Sequence, residues 1–151
     1  MPAYESKLTI AFGGQHRPNE PKWDFVWRAG RSAPDGVPAD VAAAAEAVGH
    51  DLLASDEVRA RFPGLNWTLR TRDRMLGALD RSTWVELPDT DAAETIARVA
   101  ELLSDELTGY QYVQWPICPS HQHPMNAAVV DEAAWWTCPK TAEPIRRIGQ
   151  L

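Results

Sequence analysis

Both cysteines stand near the C-terminal end, Cys118 within W-P-I-C-P-S-H-Q-H-P and Cys138 within W-W-T-C-P, with His121 and His123 between them. Four side chains of this kind constrain a fold strongly if they have to meet. The intervening A-A-V-V-D-E-A-A-W-W-T reads as two short strands joined at Asp131-Glu132, and such a hairpin brings its two ends together. The C-x-x-H spacing of Cys118 and His121 lets one tight turn, restrained by Pro119, aim both side chains at one ion. Cys118, His121, His123 and Cys138 are therefore the candidate ligands of a tetrahedral zinc site with two sulfur and two nitrogen donors. The start M-P-A-Y-E-S-K has no signal-peptide character, and no apolar run reaches membrane-spanning length. A cytoplasmic location is expected, where thiols stay reduced and open to metal.

The stretch 115–140 resembles the zinc-ribbon class, whose two knuckles carry C-P-x-C or C-x-x-H turns at hairpin tips. The second knuckle departs from that pattern, because C-P-K-T supplies Cys138 but has Thr141 where a second ligand belongs. The resemblance implies structural zinc and leaves alternatives open. His123 fills the fourth place, a distant group such as His16 or His50 fills it, or the hairpins survive as a metal-free remnant under Trp115, Trp135, Trp136, Ile145 and Ile148. A disulfide or a reactive thiol is the remaining reading. Structural zinc supplies on the order of 10 kcal/mol in small modules, but a chain of 151 residues is large enough to bury a core without it.

That length suits one domain over 1–151, with 114–151 as a C-terminal knuckle and hairpin subdomain. Residues 7–12 read as a first strand ended by Gly13-Gly14, with a polar loop to Pro21. In 22–28 a two-residue period puts Trp23, Phe25 and Trp27 on one face, expected as core, with an exposed stacking platform as the alternative. Residues 29–36 have loop composition. Val41, Ala44, Ala45, Val48 and Leu52 predict a helix over 38–54, with Pro38 in its first turn. Ser55 caps a second short helix that Pro63-Gly64 stops. Residues 65–72 and 83–87 alternate as strands, while 73–81 fits either a hairpin or a helical turn.

The strongest periodicity covers 89–107. Ile96, Val99, Ala100, Leu103 and Leu107 form an apolar stripe opposite Asp91, Glu94, Arg98, Glu101 and Asp105. Asp91 with Glu94 resembles a capping box, and Gly109 is placed to end the helix in the left-handed conformation. Residues 110–115 then alternate as a strand, and no internal repeat is evident. The expected class is α+β: an antiparallel sheet, two main helices and a C-terminal β-hairpin knuckle.

A net charge of −6 and a pI near 5.1 argue against a polyanionic partner. The charge is uneven, with seven acids and one arginine in 86–106 but six arginines and two aspartates in 59–81. Such runs are usually solvated faces; an acidic docking surface for a basic partner is the functional alternative. Catalytic motifs are missing: no H-E-x-x-H, no H-x-E before the cysteines, no phosphate loop and no G-x-G-x-x-G. The expectation is a non-catalytic accessory or regulatory protein that binds another protein through Glu94, Glu101, Asp105, Trp135 and Trp136. Its rivals are an immunity or inhibitor protein masking a basic nuclease or nucleic-acid-binding protein, and a zinc- or cysteine-dependent hydrolase. Nucleic-acid binding would rest on Arg59, Arg61, Arg70, Arg72 and Arg74.

Overall fold

The computed structural model describes residues 22–79 and 83–151. The expected strand at 7–12, its Gly13-Gly14 stop, the loop to Pro21 and His16 lie outside them. Along the chain come β1 (Phe25–Arg28), α1 (Ala39–Leu53), α2 (Asp56–Arg61), β2 (Asn66–Arg70), a 3-10 turn (Thr71–Asp73), β3 (Met75–Ala78) and β4 (Thr83–Glu86). They are followed by α3 (Ala92–Gly109), β5 (Asn126–Val130), β6 (Ala133–Thr137) and β7 (Pro144–Arg147). The α+β class holds, but among the described residues the strands form two antiparallel sheets, β1-β2-β3-β4 and β5-β6-β7.

The two main helices follow from their apolar stripes. Val41, Ala44, Ala45, Val48 and Leu52 of α1 are all buried, as are Val99, Ala100, Leu103 and Leu107 of α3. Fully burying a Val or Leu side chain contributes about 1.5–3 kcal/mol, so these stripes dominate over intrinsic propensity. Asp91 caps α3 by accepting the Glu94 N–H (2.9 Å), and Ser55 caps α2 by accepting the Val58 N–H (3.2 Å). α1 lies along α3, and α3 also touches β4, β5 and β6. One cluster of buried residues consequently runs from Trp27 in the first sheet to Ile148 after the second. Asp40 on α1 ties the layers together, accepting from Arg74 Nη2 (2.6 Å) and the Thr95 hydroxyl of α3 (2.8 Å).

Three local expectations are corrected. Trp27 is core and Phe25 is packed against it, but Trp23 precedes β1 and stacks on Trp84 at 4.6 Å with Arg70 over its ring. Gly77 makes that arrangement feasible: a Cβ there would meet the Trp84 ring at 2.7 Å and the Thr68 hydroxyl at 2.2 Å. Gly109 is still helical, and the left-handed residue is Tyr112, at φ 57°. Residues 110–115 are not a strand. Tyr110 and Tyr112 are 75% and 85% exposed while Val113 and Trp115 are buried, and the Val113 N–H returns to the Leu107 carbonyl (2.8 Å), so the segment wraps the end of α3.

Candidate metal centre

The β5–β6 hairpin turns at Asp131 and Glu132, both at positive φ (50° and 65°), the twist that a two-residue turn between right-twisted strands requires. Its two outer ends carry the knuckles. In the first, the Cys118 N–H donates to the His123 carbonyl (2.8 Å) and the Gln122 N–H to the Cys118 carbonyl (3.0 Å), with Gln122 left-handed at φ 56°. In the second, the Cys138 N–H donates to the Glu143 carbonyl (2.8 Å) and the Ala142 N–H to the Cys138 carbonyl (2.9 Å), with Ala142 at φ 66°. The flanking pairs match as well, Ile117 opposite Pro124 and Thr137 opposite Pro144.

The two turns thus share one backbone, and the sequence writes it twice: C-P-S-H-Q-H-P and C-P-K-T-A-E-P, a C-P-x-x-x-x-P repeat. Reading the chain for long periods misses a repeat this short; the proline six residues after each cysteine is the signal that reveals it.

Superposing the positions explains which candidate ligands meet. Cys118, His121 and Cys138 bring their ligand atoms within 4.8 Å of one another. His121 Nδ1 lies 3.1 Å from the Cys138 sulfur and 3.9 Å from the Cys118 sulfur. Ligand atoms about 2.0–2.3 Å from a tetrahedral zinc stand in this range of mutual separation, so the spacing is compatible with a metal ion. With Nδ1 facing both sulfurs, the imidazole proton belongs on Nε2 when a metal is bound. Both cysteines are free thiols and buried, whereas His121 is half-buried.

His123 does not join them. It occupies the place that Glu143 holds in the second turn, where the carbonyl accepts the cysteine N–H and the side chain is exposed. His50 is elsewhere, on α1, with Nδ1 3.1 Å from the neighbouring Asp51 carboxylate. Thr141 is the counterpart of His121. Its side-chain hydrogen bond is the main influence that pulls the Cys138 thiol down to about 6, helped by the Thr141 and Lys140 N–H groups and by Cys118, while desolvation opposes the shift. Those N–H groups stand 3.5 and 3.4 Å from the sulfur.

The remaining candidates separate by burial. Glu94, Glu101 and Asp105 are exposed on one face of α3, and Trp135 is half-buried with Arg147 over its ring. Trp136 is corrected from partner surface to core: it is 0% exposed, stacked edge-on to Trp115, with Nε1 donating to Asp51 (2.7 Å). Alternation on β6 sends Trp135 and Trp136 to opposite faces, and only one face meets the helices.

Asp51 is the residue that sequence reasoning overlooked. Buried on α1, its carboxylate also accepts the N–H groups of Gly149 (2.7 Å) and Leu151 (3.0 Å), and its carbonyl accepts Trp115 Nε1 (3.2 Å). Both knuckle-bearing segments are therefore fastened to α1 at one point. An acid between Val48 and Leu52 on an apolar stripe was the available sign. Beside it lies a cavity of about 390 Å³ lined by Asp51, Trp115, Ile117, Pro119 and Met125 among others, but by none of the three converging residues.

No family model, curated protein or solved structure matches the chain.

Proposed function

We propose that the chain is a non-catalytic accessory or regulatory protein that acts by binding another protein, with a zinc ion clamped between its two knuckles by Cys118, His121 and Cys138. The observation that carries this reading is the paired turn: two copies of one backbone, on the two strands at the open end of the hairpin, aim two sulfurs and one nitrogen at a common point. Soft sulfur with imidazole nitrogen is a donor set that suits zinc. The ion would hold the hairpin closed and fix the surface beside it.

The partner surface is the exposed row Glu94, Glu101 and Asp105 on α3, together with Trp135. An inhibitor that masks a basic nuclease or nucleic-acid-binding protein is the second reading, favoured by this acidic row, which Arg98 alone interrupts among its exposed charges. The test is affinity capture with the full chain, its zinc-chelated form, and a Glu94→Lys, Glu101→Lys, Asp105→Lys variant. A protein retained by the first and lost from the other two is the expected result. Retention of no protein, or equal retention by all three, contradicts the reading; loss on charge reversal alone separates the acidic row from the metal.

A further inference from the structure

We propose that the metal in this centre keeps one exchangeable coordination position, on the side of Thr141, held by water and replaceable by the thiolate of a small monothiol. The inference rests on the metal reading above. It starts from the correspondence of the two turns. The fourth residue of the first knuckle is His121, which reaches the shared point; the fourth residue of the second is Thr141. Zinc in proteins takes cysteine sulfur, histidine nitrogen and carboxylate oxygen, and a neutral hydroxyl is none of these. Thr141 Oγ1 already accepts the Glu143 N–H (3.3 Å).

Among the described residues the ligand atoms that converge are those of Cys118, His121 and Cys138, so three donors face an ion that prefers four. Thr141 and its neighbour Lys140 are exposed, and Ser120 of the first knuckle is exposed as well. The place left by the missing ligand thus opens to solvent instead of into the core. Three protein ligands plus one exchangeable position is the arrangement that distinguishes an open zinc site from a closed structural one.

The ligand class follows from charge and softness. Two thiolates and a neutral imidazole balance the two positive charges of the ion, and a soft sulfur donor suits an ion already held by sulfur. An incoming thiolate adds one negative charge at a place where the Lys140 backbone N–H already stands 3.4 Å from the Cys138 sulfur. In the exchange the metal–water bond breaks, the metal–sulfur bond forms, and the thiol proton passes to solvent; no electron is transferred.

The test is titration of the cobalt(II)-loaded full chain with 2-mercaptoethanol, reading the sulfur-to-cobalt charge-transfer band and the cobalt content after gel filtration. The expected result is a saturable rise of the band with cobalt still at one per chain, as a third sulfur joins two. Thr141→Cys, and independently Thr141→His, complete the sphere from within and are expected to abolish that response while tightening cobalt binding. A wild-type spectrum unmoved by the thiol, with cobalt bound, overturns the open position and leaves the metal reading standing; His16→Ala and His123→Ala then identify the ligand that closes it. A chain that takes up neither cobalt nor zinc overturns the metal reading itself, and this inference with it.

Discussion

The turns at 118–124 and 138–144 use the same hydrogen bonds, the same left-handed fifth residue and the same pair of prolines, yet their fourth residues are a histidine and a threonine. Of the three converging Cys and His atoms, one knuckle carries two and the other carries one. The comparison shows that knuckle shape and knuckle chemistry are separable. The shape is fixed by backbone N–H groups that find carbonyls within the turn, and it persists at Thr141 where the second donor is gone. The metal, in this account, is an addition to a hairpin that Asp51 and the tryptophans already anchor.

Removing a ligand should break the pairing most severely. Cys138→Ser or Cys118→Ser in the zinc-loaded chain is expected to lower Tm by roughly 10 °C or more, since metal binding contributes several kcal/mol and each one moves Tm by about 2–4 °C at this size. Thermal melts with and without chelator check this, and chelator should leave the melting of both variants unmoved. Asp51→Ala attacks the anchor instead. It leaves Trp136 Nε1 and the Gly149 and Leu151 N–H groups without their acceptor, at a cost of about 3 kcal/mol or more. Denaturant titration reads that loss, and it should be equal with and without zinc.

A smaller effect distinguishes the second turn by pH. The folded value of the Cys138 thiol, about 6, lies below its ordinary 9.0. Between the two the unfolded chain binds more protons, so stability rises with pH. In the chelated protein this contribution is fully present above pH 9, declines as pH falls, and is gone below about 6. Unfolding midpoints across that range should slope upward in the wild type and flatten in Cys138→Ala. The smallest change is His123→Ala, an exposed position whose carbonyl alone serves the turn. Its stability is expected to stay within about 0.5 kcal/mol of wild type, with zinc retained; loss of zinc would return His123 to the ligand set.

Much of the architecture was legible because burial imposes a period. The stripes on α1 and α3, the Ser55 and Asp91 caps and the Asp131-Glu132 hairpin all follow from local pattern. Three of the four expected ligands converge for the same reason, since a hairpin brings its ends together. What escaped depends on partners distant in sequence. The alternation in 110–115 mimics a strand, but Val113 and Trp115 are drawn into the core by α3 and α1, not by a neighbouring strand. Gly77 has meaning only beneath Trp84, and Asp51 only beside Trp136 and the chain's last residues. Nothing adjacent to Trp136 in sequence separates it from exposed aromatics, because strand alternation gives two faces and does not say which one a helix covers.

The central claim is that the paired turns hold one metal ion through Cys118, His121 and Cys138. Elemental analysis of the full chain after zinc loading and dialysis tests it most directly. One zinc per chain is expected in the wild type and in His123→Ala, and none in Cys118→Ser, His121→Ala or Cys138→Ser. A zinc-free wild type, melting at the same temperature as the cysteine variants, would contradict it.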